Sequence, residues 1–148
     1  MRAAKRKAES GDAEVMEWLG RYYLFGPQAY SDVNQALKWI RMSADKGNAD
    51  AQALTSALYM GTGDKNGKSL KFDLSLAGKY ADLSAKQGNA EGLFNSGLVS
   101  WGMSTVEGLS RDMQDYLREQ ARSSLRKSAD KGHSGAKEHL CKHFRERC

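Results

Sequence analysis

Ala44-Asp45-Lys46-Gly47-Asn48-Ala49 decides the fold, because the chain spells it four times. It occurs first as Ala8-Glu9-Ser10-Gly11-Asp12-Ala13. It returns as Ala85-Lys86-Gln87-Gly88-Asn89-Ala90 and as Ala129-Asp130-Lys131-Gly132-His133-Ser134. The glycines advance by 36, 41 and 44 residues. Steps of this size belong to helical-hairpin repeats, which stack into a solenoid.

Other columns keep the same phase. Ala36, Ala77 and Ala121 stand eleven residues before a glycine, and Ala44, Ala85 and Ala129 three before. Each of the latter follows a serine: Ser43, Ser84, Ser128. Trp39 and Tyr80 share a column that Ser124 breaks. Nine residues after the glycines stand Gly20, Ser56, Gly97 and Cys141. Small residues let two helices approach closely, and aromatic side chains fill the wider gaps.

Each unit divides into two helices, A and B. Helix A starts at Asp12 or Asn48 and ends near Gly26 or Gly61, with Met16, Leu19 and Tyr23 at helical spacing. Gly26-Pro27 is a stop, the glycine suiting the C-terminal turn. Helix B starts near Ser31-Asp32 or Asp73, which serve as N-caps. It runs to Lys46 or Gln87, and Gly47 or Gly88 closes it in the left-handed conformation. The prediction is an all-α, right-handed α-solenoid of about three and a half helix-turn-helix hairpins in one domain spanning 1–148. The repeats cover 11–46, 47–87 and 88–131, with an N-terminal capping helix over 2–9 and a C-terminal one over 133–144. Residues 2–8 have B phase with no partner, so they read either as a cap or as the start of a chain trimmed from a longer precursor.

These residues resemble the Sel1-like repeats (SLR), a branch of the tetratricopeptide superfamily. Leu19-Gly20, Tyr23, Gly26, Asp32, Ala36, Trp39, Ala44 and Gly47 match that motif position by position. Repeat two departs at Thr55-Ser56, and repeat three lacks the tyrosine and the second aromatic. The resemblance implies a concave surface lined by A helices that binds a protein or peptide without chemistry. It implies partner-binding residues Glu14, Glu17, Arg21, Asp50, Ala57, Glu91, Phe94, Leu98 and Trp101. A narrower implication is a bacterial immunity protein, periplasmic or secreted, that occludes an antibacterial toxin. The alternatives are a general adaptor in signalling or envelope assembly and a repeat-built hydrolase.

Composition bounds the remaining classes. With 40% hydrophobic and 28% charged residues, the chain has the makings of a folded core rather than a disordered tail. No apolar run is long enough for a bilayer span, and Met1–Ser10 lacks the apolar stretch of a secretory signal. The net charge of +5 favours acidic partners weakly. Basic runs at 2–7 and 142–147 lack interleaved aromatics, so nucleic acid is not an expected partner. Gly61–Ser69 superficially resembles a phosphate loop, but Thr62 stands where that motif needs glycine and a helix precedes it. It reads as a solvated insertion. Glu14, Glu17, Asp50, Glu91, Asp112 and Asp115 have no His or Ser at a spacing that argues catalysis. No cofactor is implied.

His139 and His143 share a helical face but gather no third ligand, so no metal is expected. Cys141 and Cys148 can pair only if the helix stops near Phe144 and the last residues fold back. Otherwise both stay reduced, with Cys141 filling the small-residue slot. Secreted cysteine-rich members of the family have pairs at similar spacing, and a bond implies an oxidising compartment. Phe94, Leu98 and Trp101 lie at i, i+4 and i+7, on one helix face. Their counterparts in repeat one are Glu17, Arg21 and Leu24, so this face is expected to point largely to solvent. The apolar stripe is therefore either a contact surface or a patch that the segment 103–114 covers. Trp18 and Tyr22 read as a packing pair.

Overall fold

A computed structural model describes residues 1–27, 31–61 and 71–148. The element order is α1 (Arg2–Glu9), α2 (Ala13–Phe25), α3 (Val33–Asp45), α4 (Ala49–Tyr59), α5 (Leu74–Lys86), α6 (Ala90–Ser104), α7 (Arg111–Asp130) and α8 (Ser134–His139). A π-helical turn, Leu140–Phe144, follows α8. No strand occurs among the described residues. Each helix packs on its chain neighbours, and α4 also packs on α6. Alternate helices thus form the two layers of an all-α solenoid, with α2, α4, α6 and α8 as the A helices. Thr62–Ser69 of the expected insertion lie outside the described residues.

The repeated segment is one hydrogen-bonded device used four times. At Gly11, Gly47, Gly88 and Gly132 the amide returns to the alanine carbonyl three residues back, at 2.9 Å in every case. The next amide returns to the carbonyl five residues back, at 3.2–3.3 Å. This closure satisfies carbonyls left over at the helix end. It needs positive φ, which Gly47 (95°) and Gly88 (78°) supply without a Cβ penalty. The following residue then caps the next helix. Asp12, Asn48 and Asn89 accept the amides of Val15, Ala51 and Gly92 through side-chain oxygens. One short segment therefore ends a B helix and starts an A helix.

The serine column has a long-range role. Ser43, Ser84 and Ser128 are fully buried. Their hydroxyls donate to the carbonyls of Ala13, Ala49 and Ala90 at 2.6, 2.8 and 2.7 Å. A buried hydroxyl without a partner costs about 1–3 kcal/mol. Here that cost is avoided by fastening the end of each B helix to the start of its own A helix. The small-residue slot sets the distance between them. A methyl group on Gly20 would fall on Ile40 Cγ1, and one on Gly97 would sit 2.7 Å from Leu125 Cγ. Ser56 occupies the same slot in repeat two, and its hydroxyl has no hydrogen-bond partner among the described residues.

Gly26 has φ −72°, not a left-handed value. It is required because a Cβ there would strike the Tyr22 carbonyl. The long third step comes from the helices themselves: α7 has 20 residues, whereas α3 and α5 have 13 each.

At the C-terminus the chain turns back on itself. Arg145 and Arg147 adopt φ of 55° and 56°. The reversal brings Cys148 to Cys141, with Cα atoms 4.9 Å apart, and the two are disulfide-bonded. Glu146 accepts from Arg126 Nε at 2.8 Å and Nη2 at 2.7 Å, and it also pairs with Arg122. Arg147 pairs with Asp130. The tail is therefore fastened to α7.

These tail contacts are pH-dependent. The Arg126 hydrogen bond, reinforced by Arg122, pulls the Glu146 carboxyl from its ordinary 4.5 to about 2. A lowered carboxylate pKa stabilises the fold above the unfolded value and loses that contribution on acidification. Burial holds the His139 imidazole below its ordinary 6.5, with the charges of His143 and Lys142 adding to the effect. Its neutral form is thus preferred in the fold, and stability falls as pH drops below 6.5. The C-terminal cap should weaken in two steps, one in mild acid and one between 4.5 and about 2. Thermal melts across pH should show His139→Phe losing the first step and Glu146→Gln the second. Unchanged profiles in both variants would contradict the assignment.

Candidate partner-binding face

The A helices α2, α4 and α6 meet around an open depression of about 350 Å³. Arg21 enters from α2, Asp50, Ala53, Leu54 and Ala57 from α4, and Glu91 from α6. Four residues expected from sequence, Arg21, Asp50, Ala57 and Glu91, are brought together here. Asp50 and Glu91 come from the first turns of their helices, where the helix dipole favours an acidic side chain. The floor is made of small or aliphatic side chains.

The charges are held in place by neighbouring repeats. Asn89 Nδ2 donates to Asp50 Oδ1 at 2.7 Å. His133 accepts the Ala136 amide at Nδ1, at 3.1 Å, and so carries its proton on Nε2. That nitrogen meets Glu91 Oε2 at 2.7 Å. Arg21 is paired with Glu17, whose side chain is only 17% exposed. Asp50 and Glu91 each keep acceptor capacity beyond these bonds, since a carboxylate has about four lone-pair sites. With Arg21 answered by Glu17, the depression is acidic, although the whole chain is basic. It suits a cationic side chain flanked by apolar contact.

Glu14 lies in the first turn of α2, exposed and outside the lining of this depression. Leu98 is half-buried on α6. Phe94 and Trp101 are half-buried as well, and what lies over them is the C-terminal cap rather than the expected segment 103–114. Phe94 stacks on His133 with centroids 4.4 Å apart and packs on the core of Leu125, Ala129, Ala136 and Leu140. Trp101 lies 5.6 Å from the His139 ring, 4.9 Å from His143 and 5.2 Å from Phe144. Leu24, the counterpart of Trp101, is buried too, so this column does not point to solvent, whereas Arg21 and Ala53, in the columns of Leu98 and Phe94, line the open depression. Phe94 still lines a second depression of about 210 Å³ with Gly135, Glu138, His139, Lys142 and His143. Sequence reasoning missed Ala53, Leu54 and His133. The signal for His133 was available, because it stands in the capping column of Asp12, Asn48 and Asn89.

Among the described residues no group of three or more His, Cys, Asp or Glu could hold a metal ion. No helix among them is long and apolar enough to cross a membrane.

Fold and site together define a helical-hairpin repeat protein. It is similar to a Sel1 repeat protein from Oxalobacter formigenes, with TM-score 0.67 and 24% identity over 94% of this chain and 95% of that one. It is also similar to a protective antigen of uropathogenic Escherichia coli strains that displays an SLR fold. That likeness has TM-score 0.76 and 27% identity, covering 98% of this chain and 29% of the other. No family model matches the chain, and no curated protein matches it. With the repeat columns above, these structural likenesses support a Sel1-like repeat fold for the chain. Its architecture is that of a repeat protein-interaction module in general.

Proposed function

We propose that the chain binds one protein partner, without catalysis, by taking a basic segment of it into the depression between α2, α4 and α6. The observation that carries this reading is the acidic, small-residue-floored depression itself. A partner lysine or arginine would meet Asp50 and Glu91, while Ala53, Leu54 and Ala57 leave room for its aliphatic stem. Arg21 and Glu17 would supply a polar rim that steers approach. Glu14, Phe94 and Leu98 extend this surface along the A-helix layer, with Phe94 at its second depression, and Trp101 supports it from beneath the terminal turn.

The finer reading is a bacterial immunity protein that occludes a secreted toxin in the periplasm or outside the cell. The bond between Cys141 and Cys148 supports an oxidising compartment. The double variant Asp50→Lys/Glu91→Lys tests the site: it should lose the partner that the unmodified chain retains on an affinity column. Equal retention would remove the depression from the site. An immunity protein should retain one partner at nanomolar affinity and restore growth to cells making it. Retention of several weaker partners would favour the adaptor reading.

A further inference from the structure

The groove between α5 and α6 is hollowed at positions that the preceding repeat fills. A depression of about 360 Å³ lies there, lined by Gly78 and Asp82 of α5 and by Ser96, Val99, Ser100 and Met103 of α6. Its residues stand 41 positions after those of the α3–α4 pair, the step from Gly47 to Gly88. Gly78 stands where that pair has Leu37, Val99 where it has Leu58, and Ser100 where it has Tyr59. Leu37 and Tyr59 pack on the core that contains the buried Leu58. Three exchanges at one place therefore remove an isobutyl group, a methylene and a phenol ring. A methyl group on Gly78 would meet only Val99 Cγ1, at 3.3 Å.

A charge is exchanged together with the ring. In the earlier repeats a cation of one B helix meets the tyrosine of the A helix that follows. Lys5 Nζ lies 5.8 Å from the centre of the Tyr23 ring. Arg41 hydrogen-bonds Tyr80 and interacts with Tyr59, whose ring stacks on Tyr80 with centroids 6.3 Å apart. In the Arg41 column the next residue is Asp82, and in the Tyr59 column it is Ser100. The ring is thus missing, and a carboxylate stands where the cation was. Ser96 donates to Asp82 Oδ1 at 2.8 Å, which fixes the carboxylate and leaves it further acceptor capacity. Lys79, also in the lining, sits over the Tyr80 ring at 5.8 Å. None of the ion pairs among the described residues involves Asp82.

We propose that this depression binds a small arylalkylammonium ion, with its ring in the space that Tyr59 fills one repeat earlier and its ammonium on Asp82. The ring would lie against Val99, Met103 and the open backbone of Gly78, where apolar surface leaves water. The ammonium brings the positive charge that Arg41 supplies within the chain. A ligand carboxylate would be repelled by Asp82, and a neutral phenol would leave Asp82 unanswered. By helical spacing these α6 residues lie on the side opposite Glu91, Phe94 and Leu98. The site is therefore separate from the face proposed for the protein partner.

The probe is tyramine, titrated into the isotope-labelled full chain and followed by two-dimensional amide NMR. Saturable shifts should centre on Gly78, Ser96 and Ser100, with a dissociation constant of about 1 mM or tighter. The control is para-ethylphenol, which has the ring without the ammonium and should bind about fivefold more weakly. Asp82→Asn should weaken tyramine by a similar factor and leave para-ethylphenol unchanged. Ser100→Tyr restores the ring of the earlier repeat, so it should abolish binding of both while the melting temperature holds or rises. Asp50→Lys should leave tyramine affinity unchanged, which separates this site from the proposed partner face. No saturable shift, or equal tyramine affinity in the Asp82→Asn and unmodified chains, would overturn the proposal. So would loss of tyramine binding in Asp50→Lys, because the cation would then sit in the acidic depression.

Discussion

Gly92→Ala should lower the melting temperature by about 4–8 °C, whereas Gly102→Ala in the same helix should raise it by about 2–4 °C. A methyl group at Gly92 would fall on the Ser84 side chain and lie 2.8 Å from the Ala85 amide nitrogen. The backbone of α5 cannot step aside without moving the buried Ala81 and Tyr80. Overpacking of this kind costs about 1–3 kcal/mol. Displacing Ser84 also breaks its bond to the Ala49 carbonyl, about 1 kcal/mol more. Replacing a helical glycine returns about 1 kcal/mol of propensity, leaving a net loss near 2 kcal/mol. For a chain of this size each kcal/mol is worth about 2–4 °C. At Gly102 a methyl group meets nothing within 4 Å, so only the propensity gain remains. Paired melts of the two variants check the close approach of α5 and α6. Equal shifts would contradict it.

Asp50→Lys/Glu91→Lys should weaken partner binding about 100-fold or more while leaving the melting temperature within a few degrees. Each reversal replaces an attraction for a cationic group by a repulsion, and truncating one side of a buried charged pair already costs about 2–5 kcal/mol. The folded chain loses the Asn89 bond to Asp50, the His133 bond to Glu91 and the small helix-dipole preference for an acidic side chain at each first turn. The Glu91 side chain is itself 52% exposed. Neither bond closes a helix end: Asn89 still caps through Oδ1 and His133 through Nδ1. Titration calorimetry with the purified partner and a melt of each variant separate loss of binding from loss of fold. Affinity within threefold of the unmodified chain would place the contact elsewhere.

Much of this architecture was legible in the residues because the repeat multiplies every local signal. Gly47 and Asn48 alone would be a turn; with Gly11, Gly88 and Gly132 in phase they become one helix-to-helix joint. The carboxylates at Asp50 and Glu91 were legible for the same reason, since one register puts both in first turns along the A-helix layer. The cover over Trp101 was not, because it comes from His139, His143 and Phe144, about forty residues onward. That contact depends on how the terminal turn packs, which no local period encodes. Cys141 and Cys148 lay between the two cases. Spacing required a chain reversal after Phe144, and the left-handed Arg145 and Arg147 supply it. Arginine has no intrinsic preference for that conformation, so the composition did not announce it.

The most direct measurement places a photo-crosslinking amino acid at Ala57, in the depression, and separately at Met42 on α3. Irradiation in the native host should give one discrete protein adduct from position 57 and none from position 42. The adduct should vanish when Asp50→Lys and Glu91→Lys are added. An adduct that forms equally from both positions, or none from position 57, would contradict partner capture by the A-helix face.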